Sequence, residues 1–213
     1  ILGLLVVGVA VTVYVFREEI FLTAFERGRA ESLLIPEEVE EVQEHILSCV
    51  REVGEEGAAL VGQRGGYISI PEDPIGEGDH NPFSNALDIF SDSGYRVPYW
   101  FYEAANRVQH SQVPTKEAIE GELAEYVDRN LATCTADFDL FLAYNATAGS
   151  VGTEVEIFDD TVLFTVSYPV TVAKEEFLIT FDTFYGSLDV PLGALYTAAV
   201  EIMETENTAF PFE

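Results

Sequence analysis

The first 16 residues, Ile1 to Phe16 (ILGLLVVGVAVTVYVF), carry no charged side chain. A segment that is apolar on every face must be buried on every face, in lipid or among other helices. As a helix it would reach about 24 Å, a little less than the ~30 Å core of a bilayer. Apolar residues return beyond the charged Arg17, Glu18 and Glu19, at Ile20, Phe21, Leu22, Ala24 and Phe25. The expectation is one long apolar helix over residues 1–35, broken by Pro36. Ile1, Leu4, Leu5, Val7, Val11, Val13, Val15 and Phe16 are its expected membrane and assembly contacts. Gly3, Gly8 and Ala10 would let such helices approach closely.

A secretory signal peptide carries a basic leading region and a small-residue cleavage site, and neither is present here. Two readings remain. One is a plain membrane anchor. The other is a matured pilin, in which a peptidase cuts just ahead of the apolar segment. The helix then rests in the membrane until it packs with its copies in a filament core.

Charge narrows the setting. The chain has 38 Asp and Glu against 10 Lys and Arg, a net charge of -28. Phosphate binding needs a basic face, so nucleic acid is excluded as a main partner. Docking onto anionic lipid head groups is excluded on the same ground. Only Lys116 and Lys174 are lysines; the other cations are arginines. Such a chain repels itself at low salt, whereas near 1 M salt the screening length falls to about 3 Å. This points to a halophilic organism. A hydrophobic content of 48% gives ample material for a folded core despite the charge.

The rest of the chain, residues 36–213, reads as one α+β domain. Residues 37–62 place Val39, Val42, Ile46, Cys49, Val50, Val53 and Leu60 at helical spacing, and Gly65-Gly66 ends the pattern. Tyr67 to Ile70 reads as a short strand closed by Pro71. Residues 71–96 read as an irregular loop with a turn of helix at Ser84–Phe90. Val97 to Glu103 (VPYWFYE) reads as an aromatic strand, with Pro98 placing it at an edge or making its first residue irregular. Thr115 caps a helix over residues 116–132, with Ile119, Leu123, Tyr126, Val127 and Leu131 on one face. The period then changes to two. Val151–Phe158, Thr161–Ala173 and Glu176–Phe184 read as three strands, with turns at Asp159-Asp160 and at Ala173-Lys174-Glu175. Pro191 starts a last helix with Leu192, Leu195, Ala199 and Ile202 as its stripe. Consecutive strands favour an antiparallel sheet with amphipathic helices packed on one face.

Chemistry-bearing residues are few. Cys49 and Cys134 are the two cysteines, and behind an export-type start a pair implies one disulfide. His45, His80 and His110 show no metal-ligand spacing. Asp73, Glu77, Asp79, Asp88 and Asp92 offer oxygen ligands for Ca²⁺ but not at EF-hand spacing, so no metal site is assigned. There is no G-x-S-x-G elbow and no phosphate-binding loop, so no catalytic residue and no cofactor are expected. Asn145-Ala146-Thr147 is an N-glycosylation pattern, which marks Asn145 in an extracellular protein.

Taken in order, ILGLLVVGVAVTVYVF, SCVREVGEEGAALVGQRGGYI, YWFYE, the helix end ATC and VSYPVTV resemble a family of uncharacterised exported proteins. That family is widespread in archaea of the DPANN group. It shares an archaeal pilin-like N-terminal segment, a Cys-bearing helix leading to Gly-Gly-Tyr, and a second Cys-bearing helix. Gly65-Gly66-Tyr67 and the Cys49/Cys134 pair carry the resemblance most specifically. It implies that Ile1 follows a peptidase cut and that the chain is a fragment or processed product. No activity comes with it. The expected function is a structural subunit of an extracellular, type IV pilus-like filament. Its partners would be copies of itself, the membrane before assembly, and a host or neighbour cell surface. The alternative is a membrane-anchored cell-surface binding protein that does not polymerise, with Tyr99-Trp100-Phe101-Tyr102 as a contact patch rather than a core strand.

Overall fold

The computed structural model describes residues 17–32, 39–72, 84–89, 95–141, 144–174 and 177–209. Helix α1 is Arg17–Ser32 and helix α2 is Glu40–Gln63. Four short strands follow: β1 (Ala86–Asp88), β2 (Arg96–Pro98), β3 (Phe101–Glu103) and β4 (Gln109–Ser111). Helix α3 (Lys116–Cys134) runs into a 3₁₀ turn at Thr135–Leu140. Then come β5 (Asn145–Ala148), β6 (Gly152–Ile157), β7 (Val162–Lys174), β8 (Phe177–Leu188) and helix α4 (Leu192–Ala209).

The main sheet is antiparallel and centred on β7, which pairs with β8 along its whole length. On its other side β7 pairs with β6 through its first half and with β5 through its second. Alternation along β7 buries Val162, Phe164, Val166, Tyr168, Val170 and Val172 on one face. Helices α2 and α3 cover that face. Helix α2 contributes Val42, Ile46, Cys49, Val50 and Val53, and α3 contributes Ile119, Leu123, Val127 and Leu131. Both stripes follow the spacing expected of them. Thr115 caps α3, its hydroxyl accepting from the Ala118 N–H at 3.2 Å. Gly65 and Gly66 end α2 with φ of 63° and 95°, the left-handed region that glycine enters most easily. The Cys49–Cys134 disulfide forms as expected and ties α2 to the end of α3, with Cα atoms 5.7 Å apart.

The expected long apolar helix over residues 1–35 is overturned. The helix described there, α1, has 16 residues, seven of them charged: Arg17, Glu18, Glu19, Glu26, Arg27, Arg29 and Glu31. Charges so dense must remain in water, so the apolar character of the preceding segment does not carry through. Among the described residues no helix is long and apolar enough to cross a membrane. Helices packed on a single face also need correcting. Phe164 reaches Gly54 of α2, while Tyr185 of β8 meets Phe25 and Gly28 of α1. Phe164 pairs with Gly186, the neighbour of Tyr185, so the two aromatic rings lie on opposite faces. Helix α1 therefore covers the far side of the sheet.

Smaller expectations change too. Tyr67 to Ile70 is not a strand, because the Glu122 carboxylate of α3 accepts the N–H groups of Ile68 and Ser69. The expected helical turn at Ser84–Phe90 is instead β1, paired with β2. The segment VPYWFYE splits into β2 and β3, which belong to separate two-stranded ribbons. Its break falls at Tyr99 and Trp100, where the Trp100 indole N–H donates to the Gly65 carbonyl at 2.7 Å. The third main strand runs on to Leu188. Helix α4 turns Leu192 and Tyr196 inward and leaves Leu195 62% and Ile202 60% exposed.

Candidate functional site

Ile1, Leu4, Leu5, Val7, Val11, Val13, Val15 and Phe16 lie outside the described residues. What the structure places is the seat of the helix that follows them. Phe25 is the one apolar residue of α1 that is fully buried among those described, and its ring meets Tyr185 edge-on at 5.4 Å. Gly28 lets α1 lie this close. A methyl at Gly28 would fall 2.1 Å from the Tyr185 phenol oxygen. The attachment thus rests on one aromatic pair and one glycine, on the face of the sheet that α2 and α3 leave open.

Nearer its start, α1 brings Phe21 to a shallow cleft shared with α3 and β6. Glu120, Gly121, Ala124, Thr153, Glu154, Val155 and Glu156 form its other walls. Glu120 and Glu156 are both buried, which in an enzyme would suggest an acid–base pair. Their geometry shows a structural use for Glu120, whose carboxylate accepts the Ile157 N–H at 3.0 Å. Lys116, one turn earlier on α3, donates to the Ile157 carbonyl, also at 3.0 Å. Two side chains of α3 thereby satisfy both backbone groups at the end of β6. Sequence reasoning missed this role for Lys116. As one of only two lysines in the chain, at the first position of α3, it gave the only signal.

The remaining candidates separate. His45 lies against Phe138 and Phe141, at 6.1 and 5.5 Å between ring centres, one helical turn before Cys49. His110 is exposed and stacks on Tyr102. His80 lies outside the described residues. So do Asp73, Glu77, Asp79 and Asp92 of the acidic loop; Asp88 pairs with Arg96 at 3.1 Å. Among the described residues no three His, Cys, Asp or Glu side chains converge to hold a metal ion. Asn145 is exposed at the start of β5, and its register partner is Ala173. A glycan there would lie at the β5 edge of the sheet.

The aromatic segment is not part of the core. Tyr99 is 40% exposed, and Trp100, Phe101 and Tyr102 are half-buried. Gln112 ties the two ribbons together, its amide donating to the carbonyls of Asn85 and Tyr99 at 2.8 and 2.6 Å. Helix α4 docks beside them through its first turns. Tyr196 stands 6.3 Å from Trp100 and donates its hydroxyl to the Pro114 carbonyl at 3.0 Å. Burial, and then the negative charge of Glu117, push the Tyr196 phenol above its usual range, so it stays a donor. Searches against family models, curated proteins and solved structures found no match for this chain.

Proposed function

We propose that this chain is a structural subunit of an extracellular, type IV pilus-like filament, held to its copies through Ile1–Phe16. One observation carries the reading. An uncharged 16-residue segment is followed at once by a helix seated on the open face of the sheet through Phe25 and Tyr185. In the sequence the apolar segment directly precedes α1. Burial of such a segment contributes about 25 cal/mol for each Å² removed from water, and repetition of one contact builds an open helical array. The disulfide suits an oxidising, exported setting. The resemblance to pilin-like exported archaeal proteins points the same way. A net charge of -28 keeps the outer surface solvated, and assembly belongs in salt near 1 M, where like charges are screened to about 3 Å.

The test is a pair of substitutions inside the segment. Val7→Asp with Val11→Asp is expected to abolish polymer recovered by high-speed pelleting, while the melting of the domain stays unchanged. Equal amounts of polymer from the variant and the parent would sink the reading. A second reading is favoured by the exposure of Tyr99 and the placement of its neighbours outside the core. In it the chain is a membrane-anchored surface protein whose aromatic ribbons bind a neighbour cell.

A further inference from the structure

The two edges of the main sheet are managed differently. One edge is made of β6 and β5, strands of six and four residues. It is interrupted at Gly149–Val151, carries the exposed Glu154, and has its Ile157 backbone groups taken by Lys116 and Glu120. Those are standard ways of keeping an edge from recruiting another strand. The other edge is β8, 12 residues long (FLITFDTFYGSL). It has no Pro, Lys or Arg, and its one charge is Asp182. All its strand pairing is to β7, and among the described residues no hydrogen bond reaches its free side. Helices α1 and α2 meet Tyr185 and Gly186, and Ile179 and Phe181 turn one face of residues 177–183 toward the core. Leu178 in that stretch is 69% exposed.

We propose that residues 177–183 of β8 pair antiparallel with the same residues of a second copy, around a two-fold axis near Thr180. This contact does not use Ile1–Phe16 and so stands apart from the filament reading. A second copy is the occupant that a self-complementary strand suits. Two molecules of -28 repel over most of their surfaces and repel least along β8, whose 12 residues carry one charge, with Glu175 and Glu176 just before it in the sequence. Ser167, Pro169, Thr171 and Ala173 of β7 share the face that carries Thr183, Thr180 and Leu178 of β8. An isologous strand pair is self-complementary, with each edge supplying the donors and acceptors the other lacks. Centring on Thr180 sets Asp182 opposite Leu178 of the second copy. The two Asp182 carboxylates then sit about 14 Å apart at ~3.4 Å per residue, beyond the ~8 Å screening length of physiological salt.

The experiment uses the full chain in a non-ionic detergent that covers the apolar segment. Both native cysteines are tied to each other, so an introduced thiol is the only one among the described residues. Thr180 and Thr147 both face solvent and lie in one row across β8, β7 and β5, on opposite edges. Thr180→Cys is expected to give a disulfide-linked dimer on mild oxidation, and Thr147→Cys to stay a single chain. In sedimentation, Thr180→Glu is expected to lose the dimer, because like charges meet directly across the pair, while Thr147→Glu keeps it. Three results overturn the proposal: no link through Cys at position 180, equal linking through position 147, or a dimer that survives Thr180→Glu. Equal pelleting of the Val7→Asp, Val11→Asp variant and the parent, with the Thr180→Cys link intact, would count against the filament reading alone.

Discussion

Helices α2 and α3 and helices α1 and α4 show two ways of belonging to one domain. The first pair buries a continuous stripe against β7 and is joined by the Cys49–Cys134 bond. The second pair is held at points. Among described side chains, α1 buries only Phe25 fully, and α4 docks through its first turns while Leu195 and Ile202 face solvent. Stability and outward contact are thus divided between the two pairs. Among the described residues the inner layer holds most of the buried apolar side chains, while α4 and the β8 edge carry the exposed Leu195, Ile202 and Leu178.

The comparison breaks most severely through the inner layer. Phe164 is buried against Gly54 on the axis of that layer, and Phe164→Ala is expected to cost about 3–5 kcal/mol. Denaturant unfolding with an unchanged slope would report it. Reducing the disulfide, which spans 85 residues, should remove about 2–5 kcal/mol in the same measurement. On the outer side the effects should be local. Phe25→Ala is expected to speed tryptic cleavage at the exposed Arg27 and Arg29 while shifting the domain's stability by less than about 1 kcal/mol, because α1 opens without the core. A loss as large as that of Phe164→Ala would make α1 part of the inner layer. Leu195→Ser combined with Ile202→Ser should change stability by no more than about 0.5 kcal/mol, as for other surface substitutions. Both should instead slow any association that uses α4.

The inner layer was also the legible part. Val42, Ile46, Val50 and Val53 recur at helical spacing because one face of α2 is buried and the other wet. The same contrast exposes Ile119, Leu123, Val127 and Leu131 on α3. Strands β6 to β8 announce themselves by β-branched and aromatic alternation around Asp159-Asp160, where the Phe158 N–H closes the turn on the Thr161 carbonyl at 2.8 Å. The pairing of Cys49 with Cys134 follows from there being only two. What escaped is set by tertiary contacts. Trp100 leaves its strand to reach Gly65, Glu122 takes the backbone that Tyr67–Ile70 needed for pairing, and Asn145–Ala148 pairs with β7 despite its weak strand propensity. The side of the sheet that α1 covers depends on Tyr185, whose alternation is visible in the sequence but whose partner is not. Closure of the β6 edge by Lys116 and Glu120 is likewise a meeting of distant residues, and so is the contrast with the open β8 edge.

Electron microscopy of the full chain, freed of detergent at roughly 1 M salt where acid repulsion is screened, decides whether the chain polymerises. Regular filaments whose density accounts for a folded, disulfide-linked domain on each repeat are the expected result. Membrane-bound or single particles with no filament at any salt would contradict the account and favour the anchored surface protein with its aromatic ribbons turned outward.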